Sequence, residues 1–182
     1  MKRVILLRHG EKGQGNQKEM LSWAGMKRAR ESGQDMMFGG VGGFDLYVVS
    51  EAFRTIQTLA ALAVGAEWVV QTLKIMDLWG ATPYEWKCAV EKAGGSKELA
   101  DLRSSNPGFF SVTSLRLSLT FWEIRGFVEE EGSVLFIGHS PTTEMLVLSL
   151  TGKEIIPLGE CEGVELEVEG KVVQIVREIR NP

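Results

Sequence analysis

The two histidines of this 182-residue chain each follow a short apolar run. His9 stands just beyond residues 4–7, and His139 stands just beyond residues 134–137. Short apolar runs bounded by Gly or Pro are typical of buried strands. In an open α/β sheet, ligands bind beyond the carboxyl ends of the strands, so we expect the two imidazoles to meet in one site. Imidazole is also the side chain best suited to act as a nucleophile, acid or base near neutral pH.

Cationic groups are predicted at the same edge of the sheet. Arg8 immediately precedes His9, and Arg54 falls in the first turn of the helix that follows the next apolar run. A guanidinium group offers a planar fork of donors that matches phosphate oxygens. Gly10 allows the backbone to approach a ligand closely, and Ser140 opens a helix whose N-terminal N–H groups favour an anion. The pattern therefore predicts a site for a phosphoryl group.

The elements that position these residues follow from the apolar periodicity. We expect strands over residues 2–7, 44–49, 67–75, 133–138, 162–168 and 171–178. We expect helices over residues 22–38, 52–64, 113–130 and 142–150, with Ser22 as an N-cap and Thr113 or Ser114 as another. The alternation of strands and helices predicts an α/β fold, a three-layer α/β/α domain spanning residues 1–182 with a mostly parallel sheet. The turn at Glu169-Gly170 predicts an antiparallel edge hairpin.

Residues 76–112 have the least regular pattern. The segment is too long for a passive connector in a compact domain. We therefore expect short helices that cover the site and form part of the substrate pocket.

Composition excludes several classes of partner. The net charge of −4 and the pI near 5.4 argue against general binding to nucleic acid or to a membrane surface. Cys88 and Cys161 fit no metal-ligand spacing, which favours a reduced, cytoplasmic chain. The apolar run after Lys2 and Arg3 is too short for a signal peptide, and no stretch approaches the length of a membrane span.

Four blocks of sequence occur in order along most of the chain. They are Arg8-His9-Gly10-Glu11, Leu21-Ser22-x-x-Gly25-x-x-Arg28-Ala29, Ser50-x-x-x-Arg54-Thr55-x-x-Thr58 and Gly138-His139-Ser140-Pro141. Together they resemble the histidine phosphatase superfamily, the phosphoglycerate-mutase-like or acid-phosphatase-like group. The short length and the Gly-His-Ser-Pro block look most like the small phosphohistidine phosphatase branch typified by SixA.

The resemblance implies a role for each matching residue. His9 would be the nucleophile and would carry a transient phosphohistidine. Arg8, Arg54 and His139 would hold the phosphoryl oxygens, together with a backbone N–H near Ser140. Phosphoryl transfer depends mainly on positioning and charge stabilisation, and the arginines supply that charge, so no metal or other cofactor is implied. Cationic neighbours also disfavour protonation of His9.

Two further positions are weaker candidates. Superfamily members that act on ordinary phosphomonoesters carry an acidic residue after the third strand, where Asp77 is the candidate acid and Glu85 stands behind it. A phosphohistidine substrate needs less acid help, because imidazole is a better leaving group than an alkoxide. Asn16 is a further candidate phosphate contact, although its spacing from Arg8 differs by one residue from that of mutase-like proteins.

We therefore expect a metal-independent phosphatase acting through a phosphohistidine on His9. Its substrate would be a phosphorylated protein, as for SixA-like enzymes, or a small phosphorylated molecule. A non-catalytic phosphate-binding or protein-interaction module with the same fold remains an alternative. A phosphoglycerate-type mutase is less favoured, because the mutase-type block after Arg-His-Gly is missing and the chain is short. The sequence leaves the oligomeric state open.

Overall fold

A mixed six-stranded sheet forms the centre of the computed structural model, which describes residues 2–181. Its strands are β1 (Arg3–Arg8), β2 (Leu46–Val49), β3 (Leu73–Ile75), β4 (Ser133–Gly138), β5 (Gly163–Glu169) and β6 (Val172–Ile179). The order across the sheet is β3-β2-β4-β1-β5-β6. The first four strands of that order are parallel, and β5 and β6 are antiparallel to their neighbours. The predicted sheet with an antiparallel edge hairpin is confirmed.

Helices cover both faces of the sheet. They are α1 (Trp23–Phe38), α2 (Phe53–Ala66), α3 (Pro83–Lys92), α4 (Leu99–Ser105), α5 (Pro107–Arg125) and α6 (Thr142–Thr151). Successive side chains of a strand point to opposite faces, so β1 contributes to two cores. Ile5 and Leu7 pack beneath α1 and α2, whereas Val4 and Leu6 pack beneath the other four helices. The fold is therefore the predicted three-layer α/β/α arrangement. No helix within residues 2–181 is both long and apolar enough to cross a membrane.

Several helix ends and turns lie where the sequence predicts them. The Ser22 hydroxyl accepts a hydrogen bond from the Gly25 N–H at 2.9 Å and caps α1. Gly152 ends α6 with φ of +71°, and Gly170 turns the closing hairpin with φ of +60°. Glycine adopts this left-handed conformation without the steric cost of a Cβ atom, which explains why both elements stop there.

The predicted strand over residues 67–75 is wrong for its first six residues, because only Leu73–Ile75 pairs with the sheet. Tertiary packing explains the difference. Trp68 packs edge-on against Phe44 with ring centroids 5.2 Å apart, and its indole N–H donates to the Val41 carbonyl at 3.3 Å. The β-branched residues after Trp68 therefore form a connection, in which Val69 is exposed.

The helix predicted over residues 113–130 begins earlier and ends at Arg125. Pro107 occupies its first turn, and the Asn106 side chain accepts a hydrogen bond from the Phe109 N–H at 3.4 Å. This pair is a helix-start pattern that precedes the apolar periodicity, so periodicity alone places the start too late. The rest of the irregular 76–112 segment contains α3 and α4, as expected for short helices in that region.

The connections of β1 and β4 create a crevice at one end of the sheet. The two strands are neighbours and parallel, but β1 leads into α1 on one face and β4 leads into α6 on the other. Helices that leave adjacent parallel strands toward opposite faces open a space beyond the strand ends, which is where open α/β sheets bind ligands.

Gly25 lets α1 pass directly against the segment that follows β1. A Cβ atom at Gly25 would overlap the carbonyl oxygen of Glu11. We expect Gly25→Ala to lower the free energy of unfolding by about 1–3 kcal/mol, because overpacking outweighs the gain in helix propensity. Urea unfolding measures the change. Gly42→Ala is the matched control, because nothing lies within 4 Å of its Cβ position. Equal effects of the two substitutions would contradict this account.

Candidate active site

The structure brings the two histidines together at the crevice. Arg8 lies opposite Gly138 in the register of β1 and β4, so the next residue of each strand is a histidine. The rings of His9 and His139 meet edge to face, with centroids 5.1 Å apart. His9 is 8% exposed and His139 is 1% exposed. Two imidazoles distant in the sequence therefore share one nearly buried position.

Hydrogen bonds define which nitrogen of His9 is available for chemistry. Its Nδ1 lies 2.6 Å from the Gly10 carbonyl oxygen, which can only accept, so Nδ1 carries the proton. The Arg54 Nε–H donates to His9 Nε2 at 3.1 Å, so Nε2 presents a lone pair. Burial, reinforced by the charges of Arg54 and Arg8, lowers the pKa of His9 to about 4. His9 is therefore a neutral base near pH 7.

His139 is held by a polar chain from the end of β2. Its Nε2 lies 2.7 Å from the Ser50 hydroxyl, which lies 3.1 Å from the Thr55 hydroxyl. Nη2 of Arg54, which can only donate, lies 3.5 Å from His139 Nδ1. This geometry assigns the proton to Nε2 and leaves Nδ1 as an acceptor. Burial, together with the neighbouring His9, Arg54 and Arg8, lowers the pKa of His139 to about 2.

Each of the two arginines has a carboxylate partner across the crevice. Arg8 donates through Nη1 to the Leu158 carbonyl at 2.5 Å and through Nη2 to Glu160 at 3.2 Å. Arg54 donates through Nη1 to Glu19 at 3.2 Å. No sequence pattern marks Glu19 or Glu160, because each pair joins loops far apart along the chain. A residue that lies beside an anion site only after folding leaves no local motif.

The backbone groups expected to contact phosphate differ in their availability. The Gly10 N–H donates to the Thr58 hydroxyl at 3.0 Å and is therefore occupied. The Ser140 hydroxyl donates to Glu144 Oε1 at 2.5 Å and is likewise occupied. The same Glu144 oxygen accepts the Leu158 N–H at 2.8 Å, which links the Ser140 turn to the loop that holds Arg8. The Ser140 N–H makes no hydrogen bond within residues 2–181 and remains open to a ligand.

A cleft of about 640 Å³ opens above these groups. This volume is large for a single phosphate and typical of small-molecule sites. Its walls include several residues of the 76–112 segment, which are Trp79, Pro83, Trp86, Lys87, Val90, Glu91 and Lys97. Trp79 stacks on His139 with ring centroids 3.8 Å apart. This stacking closes one side of the histidine pair, so the segment forms a wall of the cleft.

The structure does not place the predicted acid residues or Asn16 in the lining of the cleft. Asp77 is exposed, and its carboxylate accepts the Trp79 N–H at 2.8 Å. Glu85 accepts the Thr82 N–H at 2.7 Å in a capping box of α3. Asn16 is exposed in a 3₁₀ turn. The carboxylates that do line the cleft are Glu19, Glu91 and Glu160.

The side chains also define what the site can hold. Among the described residues, no group of three His, Cys, Asp or Glu side chains is arranged to bind a metal ion. The cationic groups beside His9 are guanidiniums, which bind an oxyanion by charge-assisted hydrogen bonds. The arrangement can hold an oxyanion beside a neutral imidazole.

The fold is shared with a class of known structures. The chain has the α/β fold of phosphoglycerate-mutase-like proteins and SixA histidine phosphatases, consistent with the resemblance to the histidine phosphatase superfamily. The sequence matches no protein-family model and no curated protein. The likeness is therefore carried by three-dimensional structure.

Three solved structures illustrate the likeness. Phosphoglycerate mutase from Bacillus anthracis is similar with a TM-score of 0.71 and 15% identity, over 96% of this chain and 91% of that chain. Phosphoserine phosphatase from Entamoeba histolytica, in complex with 3-phosphoglyceric acid, has a TM-score of 0.69 and 16% identity, over 100% and 98% of the chains. The protein histidine phosphatase SixA complexed with tungstate has a TM-score of 0.64 and 16% identity, over 98% and 96%. At these identities the comparison establishes a common fold.

Burial of two neutral histidines predicts a specific loss of stability in acid. Each has a folded-state pKa below its unfolded value near 6.5, so the unfolded chain binds more protons as the pH falls below 6.5. This contribution to stability is fully present above about pH 7 and declines as the pH falls, down to about pH 4 for His9 and about pH 2 for His139. We expect a loss of about 2 kcal/mol per histidine between pH 7 and pH 5.

Urea unfolding of the wild type and of the His9→Gln/His139→Gln variant at both pH values measures this loss. Glutamine does not titrate, so the wild type should lose more stability than the variant. Other titrating groups affect both proteins and cancel in the difference. An identical pH dependence would contradict the assignment of two neutral buried imidazoles.

Proposed function

We propose that this protein is a metal-independent phosphatase that transfers a phosphoryl group to His9 and then to water. One observation carries the proposal: the Nε2 lone pair of a buried, neutral His9 faces a guanidinium beside a second imidazole. A nucleophile needs a free lone pair, and a phosphoryl group needs positive charge around its oxygens. The crevice offers both within hydrogen-bonding reach.

The first step exchanges one hydrogen bond for a covalent bond. Without a ligand, the Arg54 Nε–H occupies the His9 lone pair. A phosphoryl oxygen is a stronger acceptor than imidazole, so substrate draws the Arg54 donor away and frees Nε2. The bond from Nε2 to phosphorus forms as the bond from phosphorus to the leaving atom breaks. The Gly10 carbonyl stabilises the positive charge that develops on the ring, because it already accepts the Nδ1 proton.

The second step regenerates the enzyme. Water attacks phosphorus as the bond between phosphorus and Nε2 breaks. The protons of the water leave on the inorganic phosphate or pass to solvent, so Nε2 is again unprotonated. The leaving group of the first step takes a proton from a carboxylic acid or from solvent. Arg8 and Arg54 supply the positive charge in both steps, which makes a metal unnecessary.

His139 contributes a donor only after it gains a proton. Its Nε2–H is committed to the Ser50 hydroxyl, so Nδ1 can donate to a phosphoryl oxygen only in the imidazolium form. A phosphate dianion beside Nδ1 raises the pKa of His139. Phosphoryl binding therefore takes up a proton at this residue, and the dianion and the imidazolium stabilise one another.

Both substrate classes expected from the sequence fit this chemistry. The proteins of the same fold include SixA, which is a protein histidine phosphatase, and a phosphoserine phosphatase. A phosphohistidine substrate suits a site in which Asp77 points elsewhere, because imidazole leaves with less acid help. A small phosphomonoester suits the size of the cleft. Both cysteines are free thiols, which fits action in the reducing cytoplasm.

Removal of the nucleophile tests the mechanism. We expect His9→Ala to lower turnover of an aryl phosphate by about 10⁴-fold or more, as for other nucleophile removals. An alkaline denaturing quench should trap no phosphate on the variant, whereas wild type should carry base-stable phosphate that is lost on acid treatment. Circular dichroism of the variant controls for folding. Full activity of His9→Ala would overturn the mechanism, as would loss of wild-type activity in EDTA.

Replacement of the carboxylates tests the source of the leaving-group proton. A positioned acid contributes about 10²–10⁴-fold for an alkoxide leaving group. Asp77 and Glu85 are engaged elsewhere, so we expect Asp77→Asn and Glu85→Gln to keep alkyl phosphate turnover within a few-fold of wild type. The measurement is kcat on one alkyl phosphate and on one phosphohistidine peptide. A 10²-fold or larger loss in Asp77→Asn on the alkyl phosphate alone would establish Asp77 as the acid.

A further inference from the structure

The charge of the cleft opposes the charge of the chain. The whole chain has a net charge of −4, whereas six cationic and only three acidic side chains line the cleft. The cationic residues are Arg8, Lys12, Lys18, Arg54, Lys87 and Lys97, and the acidic residues are Glu19, Glu91 and Glu160. An acidic protein therefore concentrates positive charge at one concave surface, which attracts anionic ligands.

Ion pairs within the cleft leave an excess of three positive charges. Each of the three carboxylates already has a cationic partner in the cleft. The pairs are Glu160 with Arg8 at 3.2 Å, Glu19 with Arg54 at 3.2 Å, and Glu91 with Lys87 at 3.8 Å. Lys12, Lys18 and Lys97 form no ion pair within residues 2–181, and all three are exposed. We refer to these three residues as the rim lysines.

The rim lysines come from two separate loops around the opening of the cleft. Lys12 and Lys18 lie between β1 and α1, and Lys97 lies between α3 and α4. The arginines that would hold the reacting phosphoryl group lie at the base of the cleft instead, beside His9. An apolar wall of Pro83, Trp86 and Val90 shares the cleft with the rim lysines. A molecule that fills the cleft thus contacts cations at the base, apolar groups and further cations at the rim.

The depth of the reacting group favours a small molecule. His9 is 8% exposed and lies in a cleft of about 640 Å³. A phosphoryl group on a folded protein surface would have to reach past the walls of the cleft, whereas a small ester can enter whole. Concave sites of this volume are typical of small-molecule ligands.

We propose that the rim lysines bind a second anionic group of the substrate, so that the substrate is a small phosphomonoester that also carries a carboxylate or a further phosphate. The proposal rests on the proposed phosphatase function and specifies its substrate class. The two arginines neutralise the reacting phosphoryl group, and the rim lysines neutralise the second group. A substrate without that group leaves the rim lysines unpaired and loses their contribution to binding.

A matched pair of esters tests the proposal. Phenyl phosphate and 4-(carboxymethyl)phenyl phosphate have similar leaving groups and differ in one carboxylate. We expect kcat/KM to favour the carboxylate ester on the order of tenfold at low salt, since each exposed ion pair gives about a two- to five-fold gain. The ratio should fall as salt is added, because exposed pairs are screened. Long-range attraction by the cationic cleft also favours the more highly charged ester, so substitution of the rim lysines must show where the preference arises.

Substitution of the rim lysines assigns the preference to them. In Lys12→Gln/Lys18→Gln/Lys97→Gln the ratio of the two esters should fall to near 1. Lys27→Gln/Lys153→Gln/Lys171→Gln is the matched control, because it removes three exposed lysines outside the cleft and should leave the ratio close to that of wild type. A ratio near 1 in wild type, or a wild-type ratio retained in the triple variant, would overturn the proposal.

Two further outcomes distinguish a failure of this proposal from a failure of the proposed function. If neither ester is hydrolysed, the phosphatase function fails. Calorimetry on wild type and the triple variant then gives the ratio of the dissociation constants of the two esters. That ratio decides the rim-lysine proposal by the same criteria. If a phosphohistidine-bearing protein is hydrolysed with a higher kcat/KM than the carboxylate ester, the phosphatase function stands. The small-molecule substrate class is then overturned.

Discussion

The parallel pairing of β1 with β4, in one particular register, is the constraint on which the site depends. Arg8 lies opposite Gly138, so the chain leaves both strands at the same level and presents His9 and His139 to one another. A shift of one residue would turn the apolar side chains of a strand toward the opposite face. Val4–Leu7 and Val134–Ile137 are buried on both faces, so such a shift would force side chains of the wrong size and shape into each core. The core that stabilises the sheet thereby also fixes the distance between the imidazoles.

The electrostatics of the crevice follow from that burial. Two imidazoles in a nearly dry position stay neutral, because a charged ring would lose its hydration. The guanidiniums beside them remain charged, and each has a carboxylate partner, Glu160 for Arg8 and Glu19 for Arg54. In both pairs the carboxylate is more exposed to solvent than the guanidinium, which weakens the pair and makes it exchangeable. An oxyanion can therefore compete for the arginines, whereas a deeply buried pair would hold them.

The sequence predicts the parts of this structure that depend on local patterns. Patterns of a few residues mark the strand ends at His9 and His139, the Ser22 cap and the Gly170 turn. Each of the four blocks that carry the resemblance is also a short run of sequence. The strand over residues 67–75 and the start of α5 were mispredicted, because the packing of Trp68 and the Asn106-Pro107 cap overrode the periodicity. The partners of Arg8 and Arg54 are set by long-range folding, so no local pattern contains them. The same is true of the direction in which Asp77 points.

The segment between β3 and β4 can change in length and sequence without a change in the sheet. The whole excursion from Met76 to Gly132 adds no strand to the sheet, and it leaves from an edge strand. Lengthening such an excursion changes its closure entropy only logarithmically and leaves the strand register untouched. The wall of the cleft can thus change while the histidines and arginines at the strand ends keep their positions. A different excursion grafted onto these strand ends would present other side chains to a ligand above the same two histidines and two arginines.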